Sequence, residues 1–466
     1  EIRNAFFCLC QTDLPSTVRA AQLFAARSSR PQYPNIHRTA SHQAPGHPAM
    51  SLRRRLPGLS ANLRRSLSTA AASSQSHPPW AIIDGTSMVD RSSSAPVACF
   101  RPVQPPGVSD FTAPAHLLSP RPRPAAPDSN VVQSLFGSVG AVSGDGHLLL
   151  TYHDLRAEGP CTKWDFAQDL EIQRFVCNPV SGQMLRLPDI GRSRRTLVVH
   201  HMGLLTQGAG GGPPGRFAVA DLLSHGAIIP RFLSEEGEWR TVIRATPSLR
   251  LPRLMEVNQE TVAFGGRLWW VDLTLGAISV DPFDDRLETR FVELPSGSVL
   301  PARAPTDSQQ HFGDRRRAAD DQNLFMREVA KHRRIGVSEG RLRYAEVSPH
   351  DPFVLSCFAL DDEGSCWTLE HQVALKQVLA DGGYPSAAPQ IAVLDPLHTN
   401  AIYLKVGEHL VVVDMRDGKV IGASPLQEQY FSLVSCVLPP WLGSSRIPTP
   451  GKKDDMEATD DLVSCI

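Results

Sequence analysis

Short apolar runs alternate with turn residues along most of this chain. Two stretches repeat one phrase, which is an apolar run, an Asn-Pro or Asp-Pro turn, a second apolar run and a Leu-Pro stop. The first copy spans 175–188 with its turn at Asn178-Pro179, and the second spans 279–295 with its turn at Asp281-Pro282. Because two apolar runs joined by a tight turn make an antiparallel hairpin, the phrase predicts repeated hairpins.

A second pattern is a turn containing glycine that opens into an apolar strand. It occurs at Gly144-Asp145-Gly146, Gly265-Gly266, Glu339-Gly340 and Gly407-Glu408, and glycine suits such turns because they need positive φ. Further strands are predicted at 196–200, 217–221, 239–244, 261–264, 354–360, 366–369, 391–394 and 402–406. Helical patterns are confined to 324–332 and 371–379. The chain is therefore predicted to be all-β, a β-propeller-like array of antiparallel hairpins with few short helices.

Composition divides the chain into five predicted segments. The first methionine is Met50, and residues 1–49 lack periodicity, so we interpret them as an untranslated leader or a disordered segment. The other four are a transit-peptide-like segment at 50–76, a proline-rich irregular start of the repeat region at 77–130, a propeller-like β domain at 131–440 with a loop insertion at 301–321, and a disordered charged tail at 441–466.

Residues 50–67 have the features of a targeting segment. Leucines recur at intervals of three or four, arginines lie largely off that stripe, and no acid occurs from Met50 until Asp84. An Arg-rich, Ser-rich, acid-free amphipathic start is typical of organelle transit peptides, and Arg65-Ser66 resembles a mitochondrial processing pattern. We expect mitochondrial import, with a plastid as the alternative, or a cytosolic or nuclear protein if these residues are only a basic tail.

Charge and cysteine content narrow the class of protein. The net charge is −1, but ten arginines lie in residues 1–67 beside two acids, which leaves 37 basic and 46 acidic residues in the remainder. An acidic body argues against a nucleic-acid binder. No apolar run is long enough to span a bilayer. The nine cysteines form no C-x-x-C pair, which favours reduced buried thiols over a disulfide framework.

The segment Gly266-Arg267-Leu268-Trp269-Trp270-Val271-Asp272, followed by Asp281-Pro282 and 291–295, resembles a grass-expanded plant family (domain of unknown function 1618). The Asn178-Pro179 phrase, 340–344 and 366–369 are also similar to that family. The resemblance covers roughly 80–440 and implies a propeller-like repeat related in style to F-box-associated and kelch domains. It implies no established activity and no catalytic residues.

Several motifs invite a chemical role, and each has a simpler interpretation. The glycine-rich run 208–215 lacks the Gly-Lys-Ser/Thr ending of a phosphate loop and contains two prolines. His200 and His201 point to opposite faces of a strand, so they rarely share one metal ion. Ser143 and Ser181 lie outside a G-x-S-x-G motif. The acidic run 361–363 lacks the spaced ligands of a calcium loop and is predicted to be a solvated turn.

The remaining candidates are aromatic and basic residues. Trp269 and Trp270 are expected to fill the core on opposite faces of their sheet, with a recognition aromatic as the alternative. The basic runs 315–317 and 331–334 are predicted to be solvated, with a site for an acidic partner as the alternative. No catalytic, cofactor-binding or metal-binding residue is assigned, and no cofactor is expected.

Together these observations favour a non-enzymatic propeller-like module that binds protein partners in an organelle. Propeller loops present a surface while the hairpins bury branched and aromatic side chains. Two alternatives stay open, namely an enzyme with a composite active site at the propeller channel and a ubiquitin-ligase substrate adaptor without a recognisable F-box.

Overall fold

The structure is a computed structural model that describes part of the chain. The described residues are 77–118, 131–158, 170–190, 201–208, 211–243, 249, 251–301, 312–385, 388–427, 432–449 and 451. The predicted leader at 1–49, the targeting segment at 50–76, the predicted strand at 196–200 and the tail from Lys452 lie outside the described residues.

Strands make up most of the described chain. In chain order they are β1 Trp80–Asp90, β2 Cys99–Arg101, β3 Val108–Pro114, β4 Val131–Val142, β5 Leu148–Glu158, β6 Leu170–Asn178, β7 Gln183–Arg186, β8 Gly203–Gln207, β9 Arg216–Ala220, β10 Ile228–Leu233, β11 Trp239–Ile243, β12 Thr261–Phe264, β13 Arg267–Asp272, β14 Gly276–Val280, β15 Thr289–Glu293, β16 Arg333–Ser338, β17 Arg341–Val347, β18 Val354–Leu360, β19 Trp367–Ala374, β20 Gln390–Leu394, β21 Ala401–Val406, β22 His409–Asp414, β23 Lys419–Pro425 and β24 Leu433–Val437. The α-helices are α1 Phe312–His332 and α2 Leu375–Asp381, and short 3-10 turns lie at Ala115–Leu118 and Ser224–Gly226.

The described strands form one twelve-stranded sheet and three four-stranded sheets, which divide into six groups of four that we call blades 1 to 6. Short β1–β4 and β4–β12 pairings join three of these groups into the twelve-stranded sheet. Blades 1 to 5 take their strands consecutively, as β4–β7, β8–β11, β12–β15, β16–β19 and β20–β23, and neighbours pair antiparallel. Blade 6 combines strands from both ends of the described chain, in the order β24-β1-β3-β2. Its β24 is antiparallel to β1, whereas β1 and β3 are parallel.

Apolar clusters join each blade to the next, including blade 6 to blade 1. Because side chains alternate along a strand, one strand contributes to the clusters on both of its faces. In β13, Trp270 packs with blade 2 while Trp269 packs with blade 4. Each cluster contains residues of two neighbouring blades, such as Phe111 and Leu150, Val176 and Val219, Ile229 and Leu268, Trp269 and Tyr344, Cys357 and Leu404, and Tyr403 and Ile82. The six blades therefore close into a ring, and the predicted all-β propeller class is confirmed.

The two repeated phrases occupy equivalent positions in their blades. Asn178-Pro179 joins the third and fourth strands of blade 1, and Asp281-Pro282 joins the third and fourth strands of blade 3. In each turn the first side chain caps its own loop, since Asn178 Oδ1 accepts from Val180 N at 3.1 Å and Asp281 Oδ1 accepts from Phe283 N at 2.9 Å. Asx turns of this kind explain why both phrases begin with Asn or Asp.

The structure corrects three predicted boundaries. The segment 77–130 was predicted to be irregular, yet it contains the eleven-residue β1, because Pro78 and Pro79 precede that strand and the next proline, Pro96, follows it. The insertion 301–321 was predicted to be a loop, whereas α1 begins at Phe312 and runs to His332. The second predicted helix, 371–379, begins only at Leu375, because β19 continues to Ala374.

The start of the predicted disordered tail is packed against the ring. Residues 441–449 are described, with Leu442 fully buried and Ile447 nearly so. These two apolar side chains are buried in the clusters between blades, and their removal from water stabilises the packing of this segment against the ring. We call residues 438–449 and 451 the strap.

Candidate functional site

The inner strands of the blades define the two faces of the ring. The first strands β4, β8, β12, β16 and β20 begin on one face, which we call the front, and end on the other, the back. The described parts of the connections between blades therefore lie on the front, including residues 251–260 between blades 2 and 3 and α1 between blades 3 and 4. Propeller loops of this kind carry recognition surfaces while the sheets hold them rigid.

Polar side chains tie the inner strands together at the front. The buried Gln259 amide donates from Nε2 to Ile335 O at 2.7 Å and accepts from Ile335 N at 2.8 Å. Arg334 pairs with Glu260 and also donates to Leu433 O at 2.9 Å. The hydrogen bonds of Gln259 and Arg334 therefore connect blades 3, 4 and 6, and Glu260 balances the charge of Arg334.

Helix α1 is anchored on blades 3 and 4 through its last turns. Met326 is buried, and Val329 and Ala330 pack against the apolar cluster between these blades. Asn258 Nδ2 lies 3.9 Å from Met326 Sδ. Burial lowers the pKa of His332 at the end of the helix. The helix is thus a fixed part of the front face.

The exposed side of α1 forms a surface together with the preceding inter-blade loop. Gln322 Nε2 donates to Glu256 Oε2 at 2.8 Å, which joins the helix to the loop. Leu324 and Leu254 each lie two residues from this bond, and they are 60% and 68% exposed. Met255 is buried with Leu275 and Ile278, so the loop is anchored from below. We call Leu254, Glu256, Gln322 and Leu324 the α1 patch.

The patch combines exposed apolar side chains with polar ones. Leu254 and Leu324 are exposed on two elements that a hydrogen bond joins, and single exposed leucines of this kind are common on protein surfaces. Sequence reasoning missed it, because Leu254 belongs to no periodic segment and its loop meets α1 only in the folded ring. The pattern at 324–332 indicated a helix without indicating what it contacts.

The tryptophan pair lies in the core, as predicted. Trp270 is fully buried, and its Nε1 donates to His201 O at 2.7 Å. Trp269 is 6% exposed and donates to Phe264 O at 3.1 Å. Both indole N–H groups are therefore satisfied by backbone carbonyls, which is the usual requirement for a buried tryptophan.

The glycine-rich run 208–215 borders a shallow depression on the back face. The depression has a volume of about 290 Å³ and is lined by Gln207, Gly208, Gly215, Arg216 and Glu235. Arg216 donates to Gln207 Oε1 at 2.7 Å and to Glu235 Oε2 at 3.0 Å, and its guanidinium carbon lies 4.4 Å from the centre of the Phe283 ring. The lining side chains therefore bind one another.

The structure also places the serine and histidine candidates. Ser143 Oγ donates to Asp145 Oδ1 at 2.5 Å, and the same oxygen lies 3.0 Å from His147 Nδ1. The aspartate thus stands between serine and histidine, whereas a triad needs the histidine on the serine. Ser181 Oγ accepts from Gln183 N at 3.4 Å within its turn.

The predicted histidine pair is only half described. His201 contributes its carbonyl oxygen to Trp270 Nε1 and to Thr261 Oγ1, and His200 lies outside the described residues. Within the described ranges, no group of three or more His, Cys, Asp or Glu side chains is arranged to hold a metal ion.

The acidic run forms the predicted turn, whereas part of one basic run is mostly buried rather than solvated. The run 361–363 forms a turn in which Asp361 accepts from Ser365 N at 2.7 Å. The run 331–334 was predicted to be solvated, but the side chains of Arg333 and Arg334 are only 15% exposed and pair with Glu346 and Glu260. The reason is that both arginines begin the inner strand β16. The side chains of 315–317 are not among those described.

A buried polar group between blades 1 and 2 was not anticipated. His153, Arg174 and Asp221 are each more than nine-tenths buried, on strand faces that also carry Leu149, Val176 and Val219. Burial lowers the pKa of His153 to about 4, assisted by Arg174, and it lowers the pKa of Arg174 to about 10. Arg174 affects the pKa of His153, and Asp221 affects the pKa of Arg174, so we interpret the three buried groups as an electrostatically linked part of the inter-blade packing.

These features define a closed six-bladed β-propeller with a helix inserted on its front face. The model of the family described as "Protein of unknown function (DUF1618)" matches residues 270–403, which run from blade 3 to blade 5. The match confirms the resemblance of this segment to that family.

Other comparisons are more distant. No curated protein matches the chain. A putative 6-phosphogluconolactonase from Bacteroides uniformis is 13% identical, with a TM-score of 0.31, over 76% of this chain and 99% of that one. The Cps50 (Swd1) β-propeller domain of Myceliophteria thermophila is 10% identical, with a TM-score of 0.29, over 65% and 81%. Within the described part of the chain, no helix is long and apolar enough to cross a membrane.

Proposed function

We propose that this protein is a non-enzymatic interaction module that binds a protein partner through the α1 patch. The observation that carries the proposal is the exposure of Leu254 and Leu324 on the two elements that the Glu256–Gln322 hydrogen bond joins. Removing such side chains from water on binding is favourable, and rigid elements lose little conformational freedom when a partner docks.

The fold supports this role through the anchoring of the patch. Met326 below the helix and Met255 below the loop are buried, so the exposed leucines are presented on a fixed base. Protein interfaces commonly have apolar side chains at their centre, buried when the partner binds, and polar groups around them. A partner offering apolar side chains to Leu254 and Leu324, and hydrogen-bonding groups to Glu256, fits this surface.

Proximity labelling with the full chain tests the proposal. The double variant Leu254→Asp/Leu324→Asp is compared with the wild type and with Leu369→Asp/Ile421→Asp, which changes two exposed apolar residues on the outer strands β19 and β23. We expect the first variant to lose a defined set of labelled proteins that the second retains. Retention of that set by both variants, with unchanged melting temperatures, would contradict the proposal.

We further propose that the module works in mitochondria, with residues 50–67 as the import segment. The support is the arginine-rich, acid-free leucine stripe of that segment. A fluorescent fusion of residues 50–90 should enter mitochondria, whereas the same fusion with Arg53, Arg54 and Arg55 changed to Glu should stay in the cytosol. A diffuse wild-type fusion argues against import, and accumulation in plastids identifies the alternative organelle.

A further inference from the structure

The strap crosses the back face from blade 6 to blade 2. It follows β24 directly, and Leu438 N donates to Pro79 O at 2.8 Å. Farther along, Trp441 Nε1 donates to Gly211 O at 3.0 Å in the first turn of blade 2. Gly451 N donates to Ser234 O at 3.1 Å in the turn between β10 and β11 of that blade. One short segment thus spans three consecutive blades.

Blade 1 holds the middle of the strap through side chains of its Asn178-Pro179 turn. Asn178 is fully buried, and its Nδ2 donates to Leu442 O at 2.7 Å and to Ser445 O at 3.2 Å. Gln183 Oε1 accepts from Ile447 N at 3.0 Å. These bonds go to the strap backbone, which forms turns over residues 440–444, so blade 1 holds the strap in a folded conformation.

Apolar contacts follow the same path. Leu442 fills the cluster between blades 6 and 1, and Ile447 fills the cluster between blades 1 and 2. Under the strap, the end of β24 lies against the first turn of blade 1, where a Cβ on Gly146 would come within 2.1 Å of Val437 O. Cys436 Sγ donates to Gly146 O at 3.5 Å at this junction. The strap therefore covers the seam at which the two ends of the described chain close the ring.

We propose that the strap is a latch on this seam, a unit that opens and closes as a whole while blades 3 to 5 stay folded. Its contacts to blades 1 and 2 are made at turns, and they hold the junction between blades 6 and 1 shut. Release of the strap exposes the Asn178-Pro179 turn and the interior of the seam. Sub-global opening of this kind is expected where one segment carries the contacts that close a boundary.

Three buried thiols report on opening at different places in the molecule. Cys177 and Cys436 lie in the cluster under the strap, whereas Cys357 lies in the cluster between blades 4 and 5. All three are buried, and Cys99 and Cys366 are exposed. Alkylation of the native full chain by a small maleimide, followed by mass spectrometry of each cysteine peptide, gives a rate for each position. The exposed thiols serve as standards for full reactivity.

Two variants loosen the strap, and a third is the matched control. Asn178→Ala removes the bonds to the strap backbone and also the cap of its own turn. Trp441→Phe removes only the indole bond and leaves that turn intact. Trp367→Phe is the control, because Trp367 Nε1 makes an equivalent bond to Glu293 O at 2.7 Å between blades 4 and 3. We compare each rate with the wild-type rate of the same cysteine.

We expect Asn178→Ala to speed the alkylation of Cys177 and Cys436 by about 10- to 100-fold, because a lost buried hydrogen bond shifts an opening equilibrium by that order. Trp441→Phe should speed both by roughly 3- to 10-fold on the same grounds. Cys357 should keep its rate, and Trp367→Phe should not affect Cys177 or Cys436.

Two results would overturn the latch. If Cys357 accelerates together with Cys177 and Cys436, the ring opens as one unit. If neither seam thiol accelerates in Trp441→Phe, the strap does not control the seam. Should Asn178→Ala fail to fold, Cys357 would react at the rate of an exposed thiol, and Trp441→Phe alone then decides.

Discussion

Trp269 and Trp270 show how two adjacent residues of one strand contribute to the packing on opposite sides of a blade. Adjacent residues of β13 face opposite sides, so one indole packs with blade 4 and the other with blade 2. This arrangement was predictable because successive side chains of any β-strand point to opposite faces, whatever packs against them. The carbonyls that accept the two indole N–H groups were not predictable, because His201 is 69 residues from Trp270.

Trp270→Ala should lower the free energy of unfolding by about 3–5 kcal/mol, which is typical of a large aromatic removed from a packed core. Leu324→Ala, at a residue that is 60% exposed, should change it by less than about 0.5 kcal/mol. Urea denaturation of the full chain measures both. Equal effects of the two substitutions would mean that Trp270 is not a core residue.

His153 should make stability depend on pH. Its pKa is near 6.5 in the unfolded chain and about 4 in the fold, because the buried ring is desolvated and lies near Arg174. Between these values the unfolded state binds a proton that the native state does not, so the contribution of His153 is fully present above pH 6.5 and is lost as pH falls toward 4. The loss amounts to about 3 kcal/mol at most.

Replacing His153 by Phe should flatten this dependence, since Phe cannot titrate and preserves the stacking with Phe136. Unfolding free energies measured from pH 4 to 7 for wild type and variant isolate the contribution of His153 as their difference. Arg174 and Asp221 remain in both proteins, so their effects cancel. Parallel pH profiles would show that His153 has the same pKa in both states.

At the scale of elements, local patterns predicted the hairpins and failed at the ends of the ring. Strands such as Thr261–Phe264 and the glycine turns were predictable because alternation and positive φ are encoded within a few residues. Blade 6 was not predictable, because β24 pairs with β1, which lies near the other end of the described chain. The prolines before and after β1 also weaken the strand pattern there. The strap was predicted to be a disordered tail, because the residues that bury Leu442 and Ile447 lie in blades distant in sequence.

The turn between β12 and β13 offers a test of this local coding. Gly265 and Gly266 have φ of 61° and 72°, the conformation of a tight hairpin turn that L-residues adopt at a cost. Gly266→Ala should therefore reduce the free energy of unfolding by about 1–2 kcal/mol, although nothing lies within 4 Å of the added Cβ. Gly215→Ala is the control, since it has equal space and no positive φ.

The measurement is thermal or urea unfolding of each variant. Gly266→Asn should fall between the alanine variant and the wild type, because Asn tolerates positive φ better than Ala. Equal stability of Gly266→Ala and Gly215→Ala would show that the turn relaxes to another conformation.

At the scale of the whole molecule, ring closure links the two ends of the described chain. The clusters on either side of blade 6 contain residues of both β1 and β24, such as Ile82 with Leu433 and Ala81 with Cys436. A ring whose last inner strand is missing would expose the apolar faces of blades 5 and 1 to water. Closure is therefore a condition for burying the core.

A chain ending at Ser432 should not form the native ring. It lacks Leu433, Val434 and Cys436, each of which is buried in the clusters of blade 6, and it leaves one edge of β1 without the partner to which residues Trp80–Asp84 pair. We expect proteolysis to degrade this chain at protease levels that leave the full chain intact, and the dye ANS to bind its exposed apolar surface. A chain ending at Val437 restores β24 without the strap, and it should resist proteolysis in blades 3 to 5 while being cleaved near the seam. Equal resistance of the chain ending at Ser432 and the full chain would show that the blades hold together without closure.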